Sequence, residues 1–261
     1  MKTVLTIAGS DCSGGAGVQA DLKTIAAHGL YGMSAITALT AQNTLGVFSV
    51  FPVPADFFEE QLKCIFSDIR PDAVKLGMIP NEEIMQRITK ILDKENPPFI
   101  VVDPVMASTS GKKLAGSYAE DFFRELFSLA TLITPNIKEA EILTGKTICT
   151  KEDMQVVAET LSERYQTAVL IKGGHLTGSA DDYLYDKKGG TWFSGERLAS
   201  KNTHGTGCTL SSAIAVNLAL GETMNRAVEK AKEYITGAIS DGLNLGKGNG
   251  PLNHMYLLNR R

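Results

Sequence analysis

The stretch Asn202-Thr203-His204-Gly205-Thr206-Gly207-Cys208-Thr209 leads directly into the apolar run Leu210–Leu220, which we predict to be a helix. A glycine-rich turn at a helix N-terminus points free backbone amides at one spot, and the helix dipole favours negative charge there. The stretch therefore predicts a site for a phosphate, or for the charge on a transferring phosphoryl group. The structural alternative is a tight turn capped by Thr206 or Thr209.

Short apolar runs alternate with longer amphipathic runs along the rest of the chain. This alternation predicts βαβ units, a mainly parallel sheet, and a three-layer α/β domain over residues 1–261 with helices on both faces. Two further strands flank a turn rich in glycine and lysine and predict a hairpin. The predicted strands are Val4–Ala8, Ser34–Leu39, Ala73–Leu76, Phe99–Val102, Thr131–Thr134, Ala168–Ile171, Asp182–Tyr185 and Thr191–Ser194. The predicted helices are Val18–Ala27, Asp56–Phe66, Glu82–Leu92, Tyr118–Phe127, Ile137–Leu143, Lys151–Tyr165, Thr209–Leu220 and Thr223–Gly242.

In such folds ligands bind beyond the carboxyl ends of the strands. The first loop there is Gly9-Ser10-Asp11-Cys12-Ser13-Gly14-Gly15-Ala16-Gly17. It satisfies a relaxed dinucleotide fingerprint, but no acidic residue lies between Asp21 and Asp56 to hold a ribose, which excludes a nicotinamide cofactor. It also lacks the Gly-Lys-Ser/Thr of a P-loop. Its glycines would let a small ligand approach the backbone, or the loop is a helix entry capped by Ser13.

Later strand-end loops carry charged and amide side chains. Asn136 and Glu139 are three residues apart and share one face of a helix start, where they would hold Mg²⁺ or form a capping box. Asp103 follows a predicted strand, as expected of a metal-binding carboxylate. Lys172 precedes two glycines and would face a polyphosphate, although a lone strand-end lysine is more often simply solvated.

Composition excludes several other classes. A net charge of −3 gives no reason to expect a nucleic acid or an anionic membrane as partner. No apolar run reaches the length of a spanning helix, and the N-terminus enters a strand without a signal peptide. The four cysteines have neither zinc-ligand spacing nor the look of an exported disulfide framework. We therefore expect a cytoplasmic protein.

Taken together, the loops resemble the ribokinase-like superfamily of small-molecule kinases. More closely, they are similar to the hydroxymethylpyrimidine/phosphomethylpyrimidine kinases of thiamine biosynthesis. The similarity runs from Leu5 to about Pro251. The segments that carry it are Ala8–Asp11, Ser13–Gly17, Gln19–Thr24, Thr37–Thr44, Lys75–Met78, Asp103–Met106, Asn136 with Glu139, Lys172–Gly174 and Thr203–Thr209.

The resemblance implies ATP as phosphoryl donor, Mg²⁺ as metal, and two successive transfers to a pyrimidine. We also expect a homo-oligomer, with a dimer favoured. At the phosphate end, Gly205, Thr206, Gly207 and Cys208 would form the anion hole, Asp103 and Glu139 would hold Mg²⁺, and Asn136, Lys172, Thr203 and Lys232 would contact the nucleotide. At the other end, Gly9, Asp21, Gln42, Met78 and Val105 would line the pyrimidine pocket, with Gln42 pairing with the aminopyrimidine edge.

Cys208 departs from the wider superfamily, in which most sugar kinases place an aspartate base. A thiol at a helix N-terminus is expected to shift toward thiolate, so it would act as base or orient the alcohol; otherwise it only packs. Two other functions stay open. A pyridoxal kinase shares the scaffold and the cysteine, but Gln42 favours a pyrimidine. A non-catalytic pyrimidine-binding protein would not need the metal and triphosphate residues.

Overall fold

All described strands of the chain lie in one sheet. The computed structural model describes residues 1–106, 119–174 and 180–258. The strand order across the sheet is β3-β2-β1-β4-β5-β6-β7-β8-β9; β2 through β7 in this order are parallel, and the pairs β2–β3, β7–β8 and β8–β9 are antiparallel. The strands are β1 Thr3–Asp11, β2 Tyr31–Asn43, β3 Gly46–Pro52, β4 Ala73–Leu76, β5 Ile100–Val102, β6 Leu132–Ile133, β7 Ala168–Ile171, β8 Asp182–Asp186 and β9 Gly189–Phe193.

Helices cover both faces of this sheet. One face packs against α1, α7 and α8, and the other against α2 to α6. Successive strand residues point to opposite faces, so Val101 joins the first apolar layer and Val102 the second. The helices are α1 Gly17–Ala27, α2 Ala55–Asp68, α3 Glu82–Glu95, α4 Ala119–Leu129, α5 Ile137–Thr144, α6 Lys151–Tyr165, α7 Thr206–Ala219 and α8 Met224–Ser240.

The predicted α/β architecture is confirmed, with its parallel central strands and the β8–β9 hairpin. The second strand was predicted too short, and β3 was missed altogether. β3 is the edge strand of the sheet, and in this β2–β3 hairpin the paired residues Leu39 and Phe51 are exposed, so the apolar alternation is lost. α7 begins at Thr206, three residues before its predicted start. Tyr118, the predicted start of the fourth helix, lies outside the described residues.

The carboxyl ends of the parallel strands all lie at one edge of the sheet. Asp11 ends β1, Asp103 follows β5, and Lys172 follows β7, where it bridges to Asn136 beyond β6. The N-terminus of α7 reaches the same edge. In the part of the chain that the structure describes, no helix combines the length and apolar character needed to cross a membrane.

Candidate active site

A cavity of about 520 Å³ opens at this edge of the sheet. Every residue predicted for the site lines it except Asp21. The predicted residues in its wall are Gly9, Gln42, Met78, Asp103, Val105, Asn136, Glu139, Lys172, Thr203, Gly205, Thr206, Gly207, Cys208 and Lys232.

The glycine-rich turn starts α7 as predicted. Gly205 is the N-cap with φ +84°, and a Cβ there would lie 2.0 Å from the carbonyl oxygen of Gly15. Both the backbone and the conformation therefore require glycine. No side chain caps the helix, because the Thr206 hydroxyl donates to the Thr203 carbonyl at 2.7 Å and the Thr209 hydroxyl pairs with His254. The capped-turn alternative is wrong, and the first amides of α7 have no partner within the helix.

Lys172 and Asp103 form an ion pair beneath this turn. Lys172 Nζ lies 2.6 Å from Asp103 Oδ1, and both side chains are largely buried. A Cβ on Gly207 would sit 3.3 Å from Lys172 Nζ and from Asp103 Oδ2, which places the pair against the turn. Burial lowers the pKa of Lys172, but the carboxylates of Asp103 and Glu139 outweigh it and the net pKa is raised. The lysine is therefore a fixed positive charge in the wall, and the alternative of a merely solvated lysine is wrong.

Asn136 and Glu139 form the capping box of α5. The Asn136 side chain accepts from the Glu139 amide at 3.0 Å, and the Glu139 carboxylate accepts from the Asn136 amide at 2.8 Å. The carboxylate also faces the cavity. Burial, with repulsion from Asp103, raises the pKa of Glu139 to about 7 against the attraction of Lys172 and backbone hydrogen bonds. The capping role is confirmed, and the metal-binding role stays a prediction.

Cys208 contradicts the expectation of a thiolate. Burial raises the pKa of its thiol to about 11, assisted by Asp21 and Asp103 and opposed by Lys75 and the Gly17 amide. The loss of solvent outweighs the favourable end of the α7 dipole. The thiol is therefore protonated at neutral pH.

Asp21 does not line the pyrimidine pocket, and that prediction is wrong. Its carboxylate is fully buried, with Lys75 Nζ 2.9 Å from each oxygen. The hydroxyls of Thr6 and Ser212 donate to it at 2.5 and 2.7 Å. All of its acceptor positions thus face protein groups. Cys208 interacts electrostatically with this ion pair, so Asp21 acts on the site from behind the cavity wall.

The predicted pyrimidine end lies between β1, β2 and the loop after β4. A Cβ on Gly9 would lie 3.1 Å from Met78 Sδ, so Met78 closes over the backbone there. Gln42 lies within β2 at a register shift, beyond the predicted strand end at Leu39, and its side chain is partly exposed. Its Oε1 lies 3.1 Å from the Thr40 hydroxyl, and its Nε2 lies 3.2 Å from His204 Nε2.

Two site residues were quoted in the sequence motifs without being recognised as partners. His204 Nε2 lies 2.8 Å from Asp11 Oδ2, and both side chains are nearly inaccessible. They are 193 positions apart, so spacing gave no signal. Asp182 was also missed; its carboxylate holds Lys232 Nζ at 2.6 Å in the cavity wall. The nucleotide contact of Lys232 stays a prediction.

The fold, a mainly parallel sheet between two layers of helices, is that of a ribokinase-like kinase. Comparison with known proteins narrows this class. The family model described as phosphomethylpyrimidine kinase matches residues 11–253, and the chain belongs to that family.

Named relatives support the same family assignment. The chain is 44% identical over 260 residues to a hydroxymethylpyrimidine/phosphomethylpyrimidine kinase of Haemophilus influenzae, covering 97% of each chain. It is 48% identical to a thiamine biosynthesis bifunctional protein of Geobacter sulfurreducens, covering 97% of this chain and only 52% of that protein. The chain thus spans about half the length of some of the curated relatives that it matches.

Solved structures include two kinds of kinase. A phosphomethylpyrimidine kinase from Clostridium difficile matches with TM-score 0.82 and 48% identity, covering 92% of this chain and all of that one. The ADP complex of a Bacillus subtilis pyridoxal kinase matches with TM-score 0.91 and 37% identity, covering 99% of each chain.

Proposed function

We propose that this protein transfers the γ-phosphoryl group of ATP to the hydroxymethyl oxygen of 4-amino-5-hydroxymethyl-2-methylpyrimidine, and then a second phosphoryl group to the monophosphate. The observation that carries the proposal is the Gly205–Cys208 turn set directly against Lys172 and Asp103. Phosphoryl transfer depends on positioning and charge stabilisation more than on covalent help from the protein. The first amides of α7 and a buried lysine supply both at one point of the cavity.

Mg²⁺ fits the residues at this point. Among the described residues no cluster of three or more His, Cys, Asp or Glu side chains is grouped as for a protein-caged metal. Asp103 and Glu139 are close enough for their charges to interact, and both line the cavity. Mg²⁺ typically takes one or two carboxylates and completes its shell with water and substrate phosphates. We propose that these two carboxylates hold it; when bound, it neutralises charge on the phosphates.

In each transfer the acceptor oxygen attacks the γ-phosphorus while the bond from that phosphorus to the bridging oxygen breaks, and ADP leaves. The amides of the turn would donate to the oxygens of the transferring group, and Lys172 would offset their charge. The hydroxymethyl proton is released in the first transfer. The monophosphate offers a charged oxygen in the second, so that step needs no alcohol to be deprotonated.

Cys208 enters this scheme as a protonated thiol. A neutral thiol has no capacity to act as general base, but it hydrogen-bonds weakly as donor and acceptor. We propose that it orients the acceptor oxygen toward the phosphorus. The transition state of phosphoryl transfer is loose, so the alcohol proton is lost late and a strong preformed base is not required.

A second candidate is phosphorylation of pyridoxal, which is favoured by the match to the Bacillus subtilis pyridoxal kinase over almost the whole of both chains. The test is ATP consumption with hydroxymethylpyrimidine, its monophosphate and pyridoxal assayed side by side. The proposal expects the highest kcat/KM with the pyrimidine and turnover of the monophosphate. A higher kcat/KM with pyridoxal, or no turnover of the monophosphate, would contradict it.

A further inference from the structure

One nitrogen of His204 meets two partners, and it has only one hydrogen to give. Nε2 lies 2.8 Å from Asp11 Oδ2 and 3.2 Å from the terminal amide of Gln42. A neutral imidazole nitrogen is either a donor or an acceptor. The protonation of Nε2 therefore determines the orientation of the Gln42 carboxamide. The oxygen and nitrogen of an amide are assigned from the hydrogen bonds that they make.

Asp11 decides the question. Its Oδ2 already accepts from the amides of Gly15 at 3.1 Å and Ala16 at 2.9 Å, and its Oδ1 accepts from the amide and hydroxyl of Ser13. Burial raises the pKa of Asp11, but hydrogen bonds from His204 and Ser13 outweigh it and lower the pKa to about 2. The carboxylate is thus ionised and needs donors. His204 Nε2 must carry its hydrogen and direct it at Asp11.

The ring of His204 is also fixed in place. A Cβ on Gly15 would lie 2.2 Å from His204 Cδ2, so the ring packs flush on the glycine loop. The His204 backbone amide donates to the Gly250 carbonyl at 3.1 Å, and the side chain is 6% exposed. The ring therefore presents the same N–H edge to Gln42 whether or not its other nitrogen is protonated.

The Gln42 amide then has one orientation that does not set two donors against each other. With its oxygen toward His204, an acceptor lies beside the N–H of Nε2, which is directed at Asp11. Turned in this way, its nitrogen takes the place of the oxygen that lies 3.1 Å from Thr40 Oγ1, and the Thr40 hydroxyl is left to donate to the Ser10 carbonyl at 2.9 Å. The structure places the amide the other way round, with its nitrogen 3.2 Å from His204 Nε2, and that orientation opposes two N–H groups once Nε2 carries its hydrogen.

We propose that His204, held by Asp11, is a positioning residue that fixes the Gln42 carboxamide with its oxygen on the His204 side and its nitrogen on the Thr40 side. Resting on the proposed function, this orientation makes the site select a 4-aminopyrimidine over a 4-oxopyrimidine. The amino edge offers a donor beside an accepting ring nitrogen, whereas the oxo edge offers an acceptor beside an N–H. A free amide would rotate to fit either edge, and a fixed amide pairs with only one.

The first test needs no ligand. Long-range ¹H–¹⁵N spectra of the ligand-free protein report which ring nitrogen of His204 is protonated. We expect the hydrogen on Nε2. A neutral ring protonated only at Nδ1 would overturn the proposal, since Nε2 would then accept from Gln42.

The second test measures dissociation constants for 4-amino-5-hydroxymethyl-2-methylpyrimidine and its 4-oxo counterpart by calorimetry. We expect the wild type to prefer the amino compound about 10-fold or more, the scale of one mispaired buried polar group. His204→Ala is expected to reduce this ratio to the value of Gln42→Ala, which has no amide. His204→Gln is expected to retain the ratio, because its amide nitrogen has a hydrogen for Asp11 and another for Gln42.

The ratio of the two dissociation constants separates a change in the orientation of the Gln42 amide from general damage to the site. A loosened cavity would weaken the binding of both compounds alike. A wild-type ratio in His204→Ala alongside its loss in Gln42→Ala would overturn the proposal. If His204→Ala does not fold, Thr40→Val removes the other group that fixes the Gln42 amide and is expected to lower the ratio. A wild type that binds neither compound would instead contradict the proposed function, and the spectrum of His204 would still decide the amide orientation.

Discussion

The carboxylate of Asp21 and the ammonium group of Lys75 form an ion pair that is completely enclosed, with both side chains at 0% exposure and 2.9 Å between Nζ and each oxygen. Burial lowers the pKa of Lys75, but the Asp21 carboxylate outweighs it and the net pKa is raised, so the lysine is charged. The pair joins α1 to β4 and lies behind Cys208.

Removing one partner of this pair should be strongly destabilising. Lys75→Met leaves the Asp21 carboxylate buried without its counter-charge, which typically costs about 3–5 kcal/mol. Urea unfolding followed by circular dichroism measures the loss. Lys2→Met is the matched control, because it breaks the exposed Lys2–Asp72 pair and should cost no more than about 1 kcal/mol. Equal losses in the two variants would contradict the structural role of the buried pair.

Gly205→Ala should weaken ADP binding with little change in the rest of the fold. The φ of +84° disfavours any Cβ, and the Gly15 carbonyl oxygen would be only 2.0 Å away. The turn must then move and its amides lose their common direction. We expect a loss of ADP affinity of 10-fold or more, roughly the effect of losing two hydrogen bonds. Gly145→Ala has a similar φ of +68° but open space and lies at the C-terminus of α5, so it controls for backbone strain alone.

Glu139 should make the Mg²⁺ requirement depend on pH. With its pKa raised to about 7, the carboxylate is neutral below that pH and charged above it. The Mg²⁺ concentration for half-maximal rate should therefore rise as pH falls from about 8 to about 6. Glu139→Gln should raise this concentration at pH 8 and flatten its dependence on pH.

Steady-state rates over a Mg²⁺ series at each pH give the measurement. ATP protonation is common to all variants, so only the difference from the wild type reports on Glu139. Glu152→Gln alters an exposed glutamate in the first turn of α6 and serves as control. A Glu139→Gln enzyme with the wild-type Mg²⁺ requirement would leave Glu139 as a helix cap only.

Gln42→Ala should weaken pyrimidine binding far more than ATP binding. The side chain lines the cavity together with Gly9 and Met78 and contacts Thr40 and His204. Loss of its paired contacts should cost about 1–3 kcal/mol of pyrimidine affinity. Calorimetry with each ligand separately gives the comparison. An equal loss for both ligands would contradict the assignment of Gln42 to the pyrimidine.

The magnitude of the Cys208→Ala effect distinguishes an orienting thiol from a base. A neutral hydrogen bond is worth about 0.5–1.5 kcal/mol, so we expect kcat to fall by about 10-fold or less. A positioned general base is typically worth about 10²–10⁴. A loss in that higher range would show that Cys208 ionises once the substrates are bound.

The reactivity of the cysteines gives an independent check on the same thiol. Because the thiolate is the nucleophile, the pKa of about 11 predicts slow alkylation of Cys208 at neutral pH. The exposed Cys12, Cys64 and Cys149 should react first. Peptide mapping after brief treatment with iodoacetamide measures the order. Preferential labelling of Cys208 would contradict the raised pKa.

Local patterns were enough to predict the parallel core and the phosphate turn. The buried central strands are continuous apolar runs, and the turn combines glycines with a following helix in one short stretch. The β2–β3 hairpin was missed because exposed apolar side chains such as Phe51 break the alternation that identifies a half-buried strand. Backbone hydrogen bonds hold β3 to β2 here, and such bonds leave no pattern in the side chains.

The errors within the site have a common cause. Asp21 was assigned to the ligand because a carboxylate near a glycine loop suggests binding, yet its charge is taken up by Lys75, 54 positions away. The thiol of Cys208 was expected to ionise from its position on a helix, whereas the depth of its burial decides its pKa. Burial and long-range partners are properties of the fold, and no stretch of sequence displays them.

The packing of α7 has a consequence for synthesis of the chain. This helix lies against β1, β4 and β5 and, with α1 and α8, covers one apolar face of the sheet. A ribosome makes all the parallel strands before it reaches residue 206. Much of that apolar face therefore stays exposed while the chain grows. The phosphate turn is therefore formed together with the closing of the core, and a nascent chain gains its catalytic turn only as it stops exposing the side chains that invite aggregation. The residues that wait uncovered include Val4, Ala73, Val101, Leu132 and Leu170.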